Sequence, residues 1–193
     1  YYSLEKNLRK LEKNKITLDD FEKALERSIK FRLRSDVPIS MHFSGGVDST
    51  ALLCKLREMF GKKIPVSLYF LKFKKKYDYD FIRAKKICKK LKQKLNVVYF
   101  NEKKFISSAN DTQYFMDEPF GGIPTIGMCQ LNKYQKKRFP VSLEGQGSDE
   151  ILSGYFTHVI MAARDMIKNK KERKILLKIK KKFNFSNKTI LDF

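Results

Sequence analysis

Two adjacent glycines, Gly45 and Gly46, stand between a short apolar run at residues 37–43 (VPISMHF) and a stretch at 48–60 with helical spacing, itself stopped by Gly61. A chain that passes from apolar run to tight glycine turn to helix reads as strand, loop and helix, the repeating unit of a parallel sheet. The order recurs. Residues 64–73 (IPVSLYFLKF) predict a second buried strand, and 78–95 a second helix burying Phe81, Ala84, Ile87, Leu91 and Leu95. Residues 96–100 (NVVYF) predict a third strand, 102–116 a helix, 125–138 a further helix, and PVSLEG at 140–145 a fourth strand that runs into the loop GQGSDE. Ahead of these, Leu18, Phe21, Leu25, Ile29 and Leu33 recur three or four apart, with Thr17 placed to cap, so 17–34 predicts an amphipathic helix. Pro38 then holds Val37 out of helical space. From residue 151 onward the pattern is helical and increasingly basic.

The fold class that follows is α/β, a parallel twisted sheet with helices on both faces, because each parallel pair needs a crossover that returns over one face. The division expected along the chain is a helical segment at 1–36, an α/β core at 37–160 and a basic helical extension at 161–193. In 193 residues no run approaches the roughly 20 apolar residues of a membrane span. Cys54, Cys88 and Cys129 are scattered singly on or near expected buried helix faces, which gives neither a disulfide framework nor a CxxC pair and fits a reducing, cytoplasmic compartment. The formal charge of +21 is mostly lysine spread over nearly every segment, the pattern of a solvated surface, with nucleic-acid binding as the alternative. The run KKERKILLKIKKK at 170–182 reads the same way, as a solvated helix with an apolar stripe, against contact with RNA or a membrane surface.

Ligands of such sheets bind beyond the carboxyl ends of the strands, where both glycine-rich loops fall. A turn through Gly45 and Gly46 into a helix aims successive N–H groups into one concavity at the positive end of the helix dipole, and Ser44, Ser49 and Thr50 add hydroxyl donors. That is a phosphate cradle. Asp48 would repel a phosphate unless a divalent cation lay between them, and magnesium takes one or two carboxylates plus phosphate oxygens. The alternative is that Asp48 caps its helix, and that Asp149 and Glu150 are acids favoured by a helix N-terminus. His42, inside a predicted strand, reads first as a packed side chain.

Neither GxxxxGK[ST] nor GxGxxG occurs. SGGVDST instead resembles the PP-loop of the ATP pyrophosphatase superfamily, whose members cleave ATP between the α and β phosphates (the adenine nucleotide alpha hydrolase-like fold). RLRSDVPISMHFSGGVDSTALL at 32–53, DEPFGGIPT at 117–125 and LEGQGSDEILSGY at 143–155 together resemble the synthetase domain of glutamine-dependent asparagine synthetase, in the family's order and spacing. The resemblance covers roughly residues 1–160.

It implies that Ser44, Gly45, Gly46, Val47, Asp48 and Ser49 hold the ATP phosphates. It further implies that the backbone at His42, a residue near Phe70, and Gly145 meet the nucleotide, and that Asp48 and Asp149 hold Mg2+ on the departing pyrophosphate. The implied reaction adenylates an acceptor carboxylate, aspartate in the family, and ammonia then displaces AMP. In the best-known asparagine synthetases a glutamate stands at the position of Gln146 for general acid/base work, which glutamine cannot perform at neutral pH. Glu144, Glu118 and Glu150 are the candidates to take it over. The family's ammonia comes from an N-terminal glutaminase domain, expected ahead of Tyr1 in a longer protein. Two other readings remain: a PP-loop tRNA-modifying enzyme, for which a CxxC pair is missing, and a nucleotide-binding fragment without catalysis.

Overall fold

The computed structural model describes residues 3, 16–74, 78–168 and 173–183. The expected features at 1–2, 4–15, 75–77, 169–172 and 184–193 lie outside the described residues. Two compact units are distinguished, Tyr1–Glu144 and Gly145–Phe193.

The first unit opens with helix α1, Leu18–Arg32. The Thr17 side chain accepts from the Asp20 N–H while the Asp20 carboxylate accepts from the Thr17 N–H, a reciprocal capping box. Thr17→Ala therefore should cost about 1 kcal/mol of stability, measured by denaturant unfolding. Of the predicted apolar stripe, Ile29 is buried and Leu25 and Leu33 pack against the core, but Leu18 and Phe21 lie exposed in the first turn.

Strand β1 (Ile39–His42) leads through the glycine loop to α2 (Val47–Phe60). Strand β2 (Val66–Lys72) follows, then α3 (Tyr79–Leu91), capped by the Asp78 carboxylate. Strand β3 (Leu95–Tyr99), a 3-10 turn at Glu102–Lys104, α4 (Phe105–Met116), α5 (Ile123–Gln135) and β4 (Val141–Leu143) complete the unit. The predicted helix over 78–95 is too long, because Lys92 adopts a left-handed conformation that ends α3, and Leu95 belongs to β3. The last predicted helix starts at Ile123 and ends at Gln135, two to three residues ahead of expectation, with Pro124 in its first turn.

All pairings are parallel and the strand order is β3-β2-β1-β4. Ile39, Met41 and Phe43 share one core with Val66, Leu68 and Phe70 of β2, Leu143 of β4, and residues of α1, α2 and α3. On the other face Tyr69 and Val98 pack with Leu131 of α5 and with Phe139. Gly127 permits that close fit, since a Cβ there would come within 2.8 Å of the Leu71 side chain. Among the described residues no helix is long and apolar enough to cross a membrane.

In the second unit, α6 (Ser148–Leu152), α7 (Phe156–Lys168) and α8 (Arg173–Phe183) follow one another, and Ile160, Ala163 and Leu176 form a small core of their own between α7 and α8.

Candidate active site

The chain runs β1 to β2 to β3 in one direction and then places β4 on the opposite side of β1, so the sheet reverses its winding between β1 and β4. That reversal opens a crevice at the carboxyl ends of the two strands. The Ser44–Ser49 loop leaves β1 at this point, and Glu144 follows directly on β4.

The two glycines of the loop do different work. Gly45 has φ +73°, and a Cβ on it would approach the backbone N and Cα of Ala84 to 2.9 Å, so the loop lies directly on α3. Its requirement is packing and backbone hand together, a reason beyond the close approach of a ligand expected from sequence. Gly46 is the N-cap of α2 and offers no side-chain acceptor to the first-turn N–H groups. Those donors remain available to an anion. Ser44 Oγ accepts from the Gly46 N–H at 3.2 Å and lies 3.1 Å from Ser49 Oγ, which in turn donates to the Gly46 carbonyl at 3.3 Å. The hydroxyls thus brace the loop. Val47 is exposed. The Asp48 carboxylate, in the first turn of α2, accepts no hydrogen bond among the described residues, and the N-cap position belongs to Gly46, so Asp48 is not the helix cap.

His42 ends β1 with its ring turned toward α5. Its Nε2 lies 2.7 Å from Gln135 Nε2, and its Nδ1 lies 2.7 Å from Glu144 Oε1 with the ring edge poorly aligned for a hydrogen bond. The ring is buried, as expected for a packed strand residue, but its partners are polar. Gln135 was missing from the sequence-based candidates, and nothing in its helical spacing distinguishes it. Phe70 is buried in the core with its ring centroid 5.3 Å from that of Phe81, so its side chain is taken up by packing. Glu118 is exposed in the turn after Asp117, whose left-handed backbone ends α4.

In the second unit, the loop expected from GQGSDE is shorter than predicted, because Ser148 already begins α6. Gly147 has φ +88°, and Ser148 Oγ donates to the Gly145 carbonyl at 2.7 Å, closing the turn. Gln146 is exposed. Glu150 accepts from the Tyr155 hydroxyl at 2.7 Å, and that hydrogen bond holds its carboxyl below the usual range. The Asp149 carboxylate accepts no hydrogen bond among the described residues, although its backbone carbonyl accepts from the Gly154 N–H. A Cβ at Gly154 would overlap its carboxylate, so glycine is what leaves that acid room.

Among the described residues no three His, Cys, Asp or Glu side chains cluster as a metal site. Magnesium on a nucleotide needs no such cluster, since phosphate oxygens and water supply most of its ligands. Single unengaged carboxylates such as Asp48 and Asp149 are the donor type it uses.

The cysteines divide. Cys88 is buried and its thiol is pushed up to about 11 by burial, Cys129 is partly buried, and Cys54 is exposed, contrary to the expected apolar setting. A cavity of about 330 Å³ lies between α4 and α5, lined by Phe115, Met116, Met128 and Cys129 with Lys133 and Lys136, and includes none of the predicted site residues.

The asparagine synthase family matches residues 20–188. A putative glutamine-hydrolysing asparagine synthetase of Methanocaldococcus jannaschii is 30% identical over 151 residues, which is 78% of this chain and 29% of that protein. Glutamine-hydrolysing asparagine synthetase 1 of Bacillus subtilis is 24% identical over 68% of this chain and 20% of its own length. The chain thus spans less than a third of either relative. Among solved structures, an ammonia-dependent NAD synthetase of Campylobacter jejuni aligns with a TM-score of 0.48 at 15% identity, over 72% of this chain and 61% of that one. With the match extending from the end of the α1 cap almost to the last residues, the chain belongs to the asparagine synthase family.

Proposed function

We propose that this chain is the adenylating part of an ATP-dependent amide-forming ligase. The observation that carries the reading is the loop at the β1/β4 switch point: an uncapped helix start with two bracing serines and an unengaged Asp48, in a chain of the asparagine synthase family. Ser44, Gly45, Gly46, Val47 and Ser49 would present hydroxyls and first-turn N–H groups to the ATP phosphates. The His42 backbone, the backbone near Phe70, and Gly145 would meet the rest of the nucleotide. Asp48 in the first unit and Asp149 in the second are each proposed as magnesium ligands, and the ion when bound would neutralise charge on the pyrophosphate.

An acceptor carboxylate, with aspartate as the proposed acceptor, attacks the α-phosphate, and pyrophosphate departs. Ammonia then replaces AMP, and a glutaminase domain is the proposed partner that supplies it. Gln146 and the exposed Glu118 are proposed to contact the acceptor rather than the phosphates. The test is isotope exchange between pyrophosphate and ATP in the presence of L-aspartate and magnesium. Aspartate-dependent exchange is expected, and its absence contradicts the ligase reading.

A further inference from the structure

Replacing AMP by ammonia forms a C–N bond, breaks the acyl C–O bond to AMP, and leaves one proton to be taken from nitrogen for each amide formed. AMP departs with the electron pair of the broken bond, while a base positioned at the attacking nitrogen takes its proton as the C–N bond forms. Gln146 has none to offer at neutral pH. We propose that Glu144 is that acceptor, with His42 as its positioning residue and Gln135 as the brace behind the ring. The inference rests on the ligase reading above and specifies the group it leaves open.

Three carboxylates were candidates, and the structure separates them. Glu150 is committed to the Tyr155 hydroxyl, which stabilises its ionised form and weakens it as a base. Glu118 lies exposed in a turn with no described partner to orient it. Glu144 alone stands against a largely buried polar ring while keeping one oxygen open. It stands at the end of β4, beside the end of β1, at the reversal of the sheet. Oε1 lies 2.7 Å from His42 Nδ1, the side chain is 29% exposed, and no described contact engages Oε2.

The ring behind it is fixed at its other nitrogen. Gln135 is 4% exposed and its Nε2 lies 2.7 Å from His42 Nε2; with the amide in this orientation its NH2 group can only donate, which places the ring proton on Nδ1, the nitrogen facing Glu144. Gln135 Oε1 is buried without a partner.

The experiment compares two steps in the same protein with L-aspartate, ATP, magnesium and ammonium chloride: pyrophosphate exchange for adenylation, and asparagine formation for the amide step. In Glu144→Gln the ratio of amide formation to exchange should fall about 10²- to 10⁴-fold, the usual contribution of a positioned general base. Glu144→Asp should recover part of it. His42→Asn should lower the ratio about tenfold, as loss of an orienting partner does. An unchanged ratio in Glu144→Gln overturns the assignment. Wild-type protein without exchange overturns the ligase reading itself, a separate outcome. With two histidines in the chain, ring nitrogen shifts at about pH 8 give an independent readout that needs no turnover. Nδ1-protonated His42 is expected, and a ring protonated at Nε2 alone contradicts the arrangement.

Discussion

Asp48→Asn should reduce aspartate-dependent pyrophosphate exchange by about 10²- to 10³-fold, the loss that follows removal of one pre-organised electrostatic contact at a site of developing charge. The melting temperature should stay within about 2 °C of wild type, since surface substitutions without partners change stability little. The reasoning is structural. The Asp48 carboxylate takes part in no cap and no ion pair among the described residues, so folding loses little beyond its interaction with the α2 dipole when its charge is removed. A drop in both exchange and melting temperature would instead make Asp48 a structural residue, and exchange at the normal rate would exclude it from the phosphate site.

Gly45→Ala should destabilise the protein by about 2–5 kcal/mol, combining a left-handed backbone imposed on a residue with a Cβ and an overpacked contact. The contact is with backbone atoms of Ala84 at 2.9 Å, in the middle of α3, where no side chain can swing aside. Gly46→Ala meets only the Ser44 hydroxyl, at 3.2 Å, and has no positive φ, so it should be tolerated far better for folding. Denaturant unfolding of the two variants checks the asymmetry. Equal losses, or a loss under about 1 kcal/mol at Gly45, would mean that the loop can lift off α3.

The alternation of apolar runs with helical spacing made the parallel sheet legible, because the central strands β1 and β2 are largely buried on both faces and each helix leaves an apolar stripe. Element ends were less legible. Leu95 has the spacing of a helical residue, yet the left-handed Lys92 turns the chain before it, and lysine carries no sequence signal for that conformation. Leu18 and Phe21 fit the α1 stripe by period but occupy its first turn, where only Leu25, Ile29 and Leu33 reach the core. Strand β4 is three residues long, short because pairing with β1 stops at Leu143 and the chain turns off at Glu144.

At the candidate site, the glycines, serines and Asp48 were readable because loop chemistry is local. The His42, Gln135 and Glu144 grouping was not, since it joins positions 93 and 102 residues apart through the register of β1 with β4 and the packing of α5. Sequence also left open what Gly45 is for. Its proximity to Ala84 depends on how α3 lies over the loop, which no local pattern encodes.

The most direct test of the central claim is the identity of the nucleotide products when the protein turns over ATP with magnesium, L-aspartate and ammonium. A loop that holds the triphosphate for attack at the α-phosphate predicts AMP and pyrophosphate in equal amounts. ADP and inorganic phosphate as the products would contradict it.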